Sequence, residues 1–338
     1  MRKMAHIEKI HSISPIDGAD AIELACILGW QCVVKKGEFE VGQLAVYCEI
    51  DSWVPLTLAP FLQKGEKVRE FNGVPGNRLK TIKLRGALSQ GLILPCTSGM
   101  PTEEGSDVSE ILGIQKWEAP ENPQLAGTQK GNFPAQFPKT DQERIQNISD
   151  RTWNIWQEKN YSFEVTEKLE GSSMTCYLLD GVFGVCSRNI DLKETPDNTF
   201  WKVARAKDIE AKMRKASEQF GLTDWCIQGE LVGPGIQGNI YGLTEHKFYV
   251  FEIVKAGGTK LNADDRNQIC FMVNFVQAPL KGYEVSLKSQ TKQSLLKKAN
   301  DLSQLKDVLQ EGLVFKCIED PSISFKAVSD EYLLKSKN

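Results

Sequence analysis

Eight residues carry the chemistry this chain could do: Lys168, Lys316, Lys326, Glu170, Glu230, Glu311, Arg188 and Phe251. Lys168 stands in Glu167-Lys168-Leu169-Glu170-Gly171-Ser172-Ser173, between apolar strand residues and a Gly-Ser-Ser turn. Alone, this is a surface lysine ahead of a turn. Glu311 and Lys316 bracket the apolar run Gly312-Leu313-Val314-Phe315, and Ser324-Phe325-Lys326-Ala327 follows. Between these segments lie Ser187-Arg188-Asn189, Gln228-Gly229-Glu230-Leu231-Val232-Gly233-Pro234-Gly235 and Phe248-Tyr249-Val250-Phe251-Glu252-Ile253. Taken singly, Phe251 reads as core, Glu230 as a solvated acid and Arg188 as a surface ion pair. A lysine amine attacks only when deprotonated. Its ordinary pKa of about 10.4 means that neighbouring cations or burial must tune it.

The ordered set is more specific than its members. It resembles the covalent nucleotidyltransferase superfamily of polynucleotide ligases and RNA-capping enzymes, and is most similar to the phage-type double-strand RNA ligases. GELVGPGIQ and FYVFEI are similar to their nucleotide-binding motifs. The N-terminal part, with GW-x-x-VVKKGEF and KTIKLRG-x-x-SQGL, resembles the leading oligonucleotide-binding (OB) domain of the Naegleria- and Deinococcus-type RNA ligases. The likeness runs over nearly the whole chain.

The resemblance implies an ATP-dependent RNA ligase that seals 3′-OH to 5′-phosphate ends, with nicks in duplex RNA as the expected substrate. A 5′-phosphate is a poor electrophile, and transfer of AMP from ATP activates it. Lys168 is then the nucleophile that forms lysyl-AMP before RNA-adenylate. Lys316 and Lys326 lower the amine's pKa by like charge and bond the α-phosphate as its charge develops. Glu311 serves Mg2+ or Mn2+, through the ion's waters, and a second ion on the β- and γ-phosphates orients the leaving pyrophosphate. Glu230 and Arg188 correspond to a ribose- and phosphate-contacting pair, Glu170 to a second ribose contact, and Phe251 to the aromatic stacked on adenine. One position departs from the pattern. Ser324 stands where the phage-type enzymes commonly carry a lysine, so the division of α-phosphate charge must differ.

Elements must position these groups. The first ~115 residues hold short β-branched or aromatic runs between glycines (Trp30 to Val34, Leu44 to Ile50, Lys80 to Arg85, Gly91 to Pro95), which predicts a small barrel. Residues 116–138 read as a Pro-rich connection containing Pro120, Pro123, Pro134 and Pro138. Residues 139–338 read as an α+β adenylation domain of antiparallel sheets flanked by helices. In it, Phe163 to Cys186 predicts strands around an Asp180-Gly181 turn, and Lys247 to Val254 another strand. Helices are expected over Thr199 to Phe220 (stopped by Gly221), Asp264 to Val276 and Thr291 to Leu309, and closing strands at Leu313 to Cys317 and Ile323 to Val328. Only 12 residues follow Lys326, which leaves no room for the trailing OB domain that DNA ligases and capping enzymes generally carry. That favours an RNA ligase.

The chain has 338 residues, 41 basic and 44 acidic, for a net charge of −3. A wholly basic nucleic-acid binder is thereby excluded, and any RNA surface must be local. Residues 61–90 fit: seven cations against Glu66 and Glu70. On a strand Lys83 and Arg85 would form a cationic face and Ile82 and Leu84 a buried one, so Lys83 and Arg85 are expected to contact RNA or phosphate. Nine cysteines without a C-x-x-C pair, and three scattered histidines, predict reduced thiols and no zinc site. The chain shows no secretory h-region and no run long enough to span a bilayer, so an intracellular monomer, in cytoplasm or nucleus, is expected. Two other readings stay open: a capping-type guanylyltransferase, and an RNA-binding module with a degenerate ligase fold.

Overall fold

The computed structural model describes residues 3–118 and 127–335. Two compact units result. The first holds residues 3–118, 146–149 and 333–335; the second holds 127–145 and 150–332. Pro120 and Pro123 lie outside the described residues.

The first unit is nearly all strand: β1 (Ala5–Ile16), β2 (Ala19–Ile27), β3 (Trp30–Lys35), β4 (Leu44–Cys48), β5 (Ser52–Pro55), β6 (Glu70–Phe71), β7 (Val74–Arg78), β8 (Thr81–Leu84), β9 (Ala87–Gln90), β10 (Leu92–Pro95) and β11 (Gln115–Lys116). They form a five-stranded sheet in the order β10-β4-β1-β2-β3, a four-stranded sheet β11-β5-β7-β6 and a two-stranded ribbon β8-β9. One core gathers Ile10, Trp30, Tyr47 and Ile93, another Ile7, Val46, Val54 and Val108. The expected buried face on β8 is not found. Ile82 and Leu84 are exposed, because β8 pairs only with β9 and a two-stranded ribbon has no second layer to cover it.

The second unit contains β12 (Gln129–Asn132), β13 (Glu143–Arg144), α1 (Asp150–Glu158), β14 (Ser162–Lys168), β15 (Ser172–Leu179), β16 (Val182–Cys186), β17 (Ile190–Leu192), α2 (Thr199–Ala206), α3 (Ile209–Phe220), β18 (Trp225–Val232), β19 (Lys247–Lys255), α4 (Ala263–Val273), β20 (Leu280–Ser286), α5 (Lys292–Ala299), β21 (Gly312–Cys317), β22 (Ser324–Val328) and α6 (Asp330–Lys335). One sheet runs β12-β17-β16-β15-β18-β19, the other β13-β22-β21-β14-β20. All pairs within them are antiparallel except β13 with β22. The class is α+β with a leading OB fold. The region read as connection thus contributes β12 to a sheet edge. The helix expected from Thr199 to Phe220 is two, divided where Asp208 takes a left-handed backbone, and Gly221 closes the second in the same conformation. The helix expected from Thr291 ends at Ala299, and the Leu302 to Leu309 stretch forms a bridged turn instead. Among the described residues no helix is long and apolar enough to cross a membrane.

Candidate active site

Alternation along three neighbouring strands assembles the site. In register, Lys168 faces Gly312, Thr166 faces Val314, and Glu164 faces Lys316. Val314 in turn faces Lys326, and Lys316 faces Ser324. Residues directly opposite in a ladder share a face. Lys168, Lys316 and Lys326 therefore lie on one side of the sheet. The other side carries Phe163, Phe315 and Phe325, all fully buried, with Phe315 and Phe325 stacked at 4.7 Å between ring centroids and Trp156 stacked on Phe325 at 5.7 Å. Burying such rings stabilises the fold by about 1.5–3 kcal/mol each. A one-residue slip would bury the lysines instead, so the aromatic layer holds the cations in register.

Lys168 ends β14, and its Nζ lies 2.7 Å from Glu311 Oε1 with both side chains partly open to solvent. Glu311 comes close because Gly312 does: a Cβ there would sit 2.3 Å from the Ala327 carbonyl oxygen. Gly171 plays the same part on the other side of the turn. A Cβ on it would meet Leu231 O at 2.4 Å and Glu230 Cγ at 2.8 Å. The glycine of the K-x-x-G pattern thus lets the turn after Lys168 press against Glu230. Burial pushes the Glu230 carboxyl up to about 8; the Glu311 charge adds to this, while Lys168, Arg188 and the Gly171 N–H oppose it. Arg188 reaches Asp141 at 2.6 Å. These four side chains, Lys168, Glu311, Glu230 and Arg188, form one electrostatically linked group.

Phe251 and Lys316 form the next part. Gln228 pairs with Glu252 and Gly229 with Val250, which leaves Phe251 as the extra residue of a β-bulge. It is the one half-buried residue in an otherwise buried run from Phe248 to Val254. The Lys316 ammonium donates to the Phe251 carbonyl, pairs with Glu252 at 3.0 Å and lies 5.4 Å from the Phe251 ring centroid. Burial pulls its pKa down to about 8, against the pull of Glu252. Lys260 approaches the same carboxylate at 3.4 Å. Lys316 lies four residues from the Lys168 row, about 13 Å along the strand, whereas Lys326 lies two, about 7 Å. The structure therefore brings Lys168, Glu311, Glu230 and Arg188 together and holds Lys316 with Phe251. Ser324 is directly across from Lys316, and Lys326 is in register with the buried Arg144 of β13.

Glu170 is buried, and protein groups take both of its oxygens: the Tyr332 hydroxyl donates to Oε2 at 2.9 Å and the Gly238 N–H to Oε1 at 3.3 Å. Glu252 and Asp141 were not among the residues expected from sequence. Glu252 carried a signal, an acid beside the aromatic of FYVFEI; Asp141 carried none. Lys83 and Arg85 belong to the other unit. Glu311 and Glu230 are the hard oxygen donors a magnesium-type ion prefers. No group of three or more His, Cys, Asp and Glu side chains among the described residues could hold a metal alone. Such an ion would complete its shell with water and nucleotide oxygens.

Comparison with known proteins identifies the family. An OB-fold domain model matches residues 4–96 and the RNA ligase family model matches residues 162–329. Solved structures of Naegleria gruberi RNA ligase are 40% identical to the chain. A lysine-to-methionine variant with AMP and Mn superposes with a TM-score of 0.90, covering 99% of both chains. A lysine-to-alanine variant with ATP and Mn gives 0.88 over 99% of both. A complex with PPi gives 0.88 over 98% of both. No curated protein matches. The chain belongs to the RNA ligase family.

Proposed function

We propose that this protein is an ATP-dependent RNA ligase that seals 3′-OH to 5′-phosphate ends at nicks in duplex RNA, working as a monomer through lysyl-AMP and RNA-adenylate. The observation that carries this reading is the convergence of Lys168, Glu311 and Glu230 at the end of β14, on the sheet face that also bears Lys326. Naegleria gruberi RNA ligase, the 40% identical relative, was solved with ATP, AMP, Mn and PPi, which supports ATP and a divalent metal here.

An ammonium held in an ion pair is not a nucleophile. The 2.7 Å pair with Glu311 is thus a resting arrangement, and Lys168 must leave it and shed its proton before its amine attacks the α-phosphorus. A P–N bond then forms and pyrophosphate leaves. Lys326 stabilises charge on the α-phosphate, Glu230 and Arg188 hold ribose and phosphate, and Phe251 stacks on adenine with Lys316 beside it. Glu170, fixed by Tyr332 and Gly238, positions the turn beside the ribose. When bound, a divalent ion supplies charge neutralisation at the phosphates, with Glu311 as its protein partner. Lys83 and Arg85 contact RNA. Residues 1–115 serve as the OB domain and 139–338 as the body of the adenylation domain of an intracellular protein without zinc, and the connection 116–138 includes β12, an edge strand of that domain.

The test is direct. Protein mixed with labelled ATP and magnesium forms an acid-stable, hydroxylamine-sensitive adduct, and Lys168→Ala forms none. An adduct that persists in the variant refutes the nucleophile. Sealing assays on nicked duplex RNA, single-stranded RNA and nicked DNA decide the substrate.

A further inference from the structure

The ribbon β8–β9 has an unusual surface. It is anchored at its base, where Ser89 Oγ accepts from the Val33 N–H at 3.0 Å and the Gln90 carbonyl accepts from the Cys32 thiol and the Tyr47 hydroxyl. Toward its tip both faces are open. Ile82 is 41% and Leu84 39% exposed, and Lys83 and Arg85 between and beyond them are exposed too. Among the described residues neither cation has an ion-pair partner. The two-residue loop Arg85-Gly86 has positive φ at both positions, 48° and 83°. Hairpin loops of this kind favour Asn, Asp or Gly first, because a Cβ is strained there. An arginine thus occupies a position that disfavours it, in the turn of the ribbon.

Exposed aliphatic side chains alternating with unpaired cations fit a polyanion that also offers apolar edges. An A-form RNA helix is such a partner: its minor groove is wide and shallow and lined by riboses, with phosphates on either rim. A single strand would be held better by aromatic rings stacked on bases, and the ribbon has none. We propose that the β8–β9 ribbon is a duplex-RNA contact, with Ile82 and Leu84 against ribose edges in the minor groove and Lys83 and Arg85 on the adjoining phosphates. This deepens the reading of duplex RNA as substrate and rests on it.

The experiment uses the full chain and a fluorescein-labelled RNA duplex with one central nick, beside the same labelled strand alone, with binding followed by anisotropy over a salt series. Ile82→Ser/Leu84→Ser weakens duplex binding about tenfold and single-strand binding much less. Lys83→Gln/Arg85→Gln weakens duplex binding and lowers the slope of log affinity against log salt by about 2. Arg85→Gly guards against misfolding: it suits the loop better, so it keeps or raises the melting temperature while still weakening duplex binding. The proposal is overturned if the Ile82/Leu84 variant binds duplex within twofold of the parent, if it loses single-strand binding equally, or if it only abolishes self-association seen by sedimentation. Lysyl-AMP formation, assayed without RNA, is a separate readout. Its failure in the parent would sink the ligase reading while ribbon-dependent duplex binding stood.

Discussion

His6 makes the stability of the first unit depend on pH in a direction opposite to ordinary acid denaturation. It is buried on β1, with Nδ1 2.7 Å from Glu8 Oε1 and Nε2 3.4 Å from Glu49 Oε1. Both glutamates are buried as well. Burial is the largest single influence and pushes the imidazole pKa down. The hydrogen bonds and charges of Glu49 and Glu8 together outweigh it and bring the value from 6.5 up to about 9. A rise of that size corresponds to about 3 kcal/mol favouring the charged folded form. Because the folded pKa lies above the unfolded one, this contribution is fully present below pH 6.5 and is lost as pH rises through 9. Urea unfolding of the parent and of His6→Gln across pH 6 to 9.5 should show it. The parent loses about 3 kcal/mol more than the variant over that range. At pH 6 the variant is less stable by about 3–5 kcal/mol, since two buried carboxylates lose their counter-ion. Taking the difference between the two proteins removes the titrations they share. Parallel pH profiles for the two proteins, or an imidazole NMR titration with a midpoint near 6.5, would refute the reasoning.

Further outcomes follow from the second unit. Glu311→Gln, which removes the 2.7 Å partner of Lys168, should lower the single-turnover rate of lysyl-AMP formation by about 10²–10³, and a rate within tenfold of the parent contradicts its placement. Gly171→Ala forces a Cβ toward Leu231 O and Glu230; it should cost about 1–3 kcal/mol and slow adenylylation about 100-fold by displacing the turn after Lys168, as unfolding and labelled-AMP assays would reveal. Phe325→Ala opens the aromatic layer behind the lysines and should destabilise by about 3–5 kcal/mol, with Phe325→Leu losing less, read from denaturant midpoints. ATP affinity should fall as Lys316 loses its proton above pH about 8, and Glu252→Gln should move that fall to lower pH, because Glu252 is the partner that holds the charge on Lys316. An unmoved pH profile in calorimetry counts against that link.

Much of this was present in the residues themselves. Period-two alternation and register-competent strands at 163–168, 313–317 and 324–328 put the three lysines on one face, since a strand's side chains have no other choice. Gly171 was legible as part of a turn, whereas the close backbone approaches at Gly171 and Gly312 came from the structure. Local sequence did less well where stabilisation was not local. The apolar spacing of 199–220 predicted one helix, which a left-handed backbone at Asp208 divides in two; residues 302–309 were helical in pattern but bent into a bridged turn. Ile82 and Leu84 alternated like a buried strand face, yet they stay 41% and 39% exposed on a two-stranded ribbon, and a pattern of types cannot reveal how many strands will pair. Only the tertiary structure returned residues 146–149 to the first unit, bulged Phe251 out of its strand and set Lys316 against Glu252 rather than beside Lys168. The sequence determined which face the three lysine-bearing strands would bury and which residues could do chemistry. The distances among them came from sheet-to-sheet packing, which depends on contacts far apart in the chain and leaves no period to read.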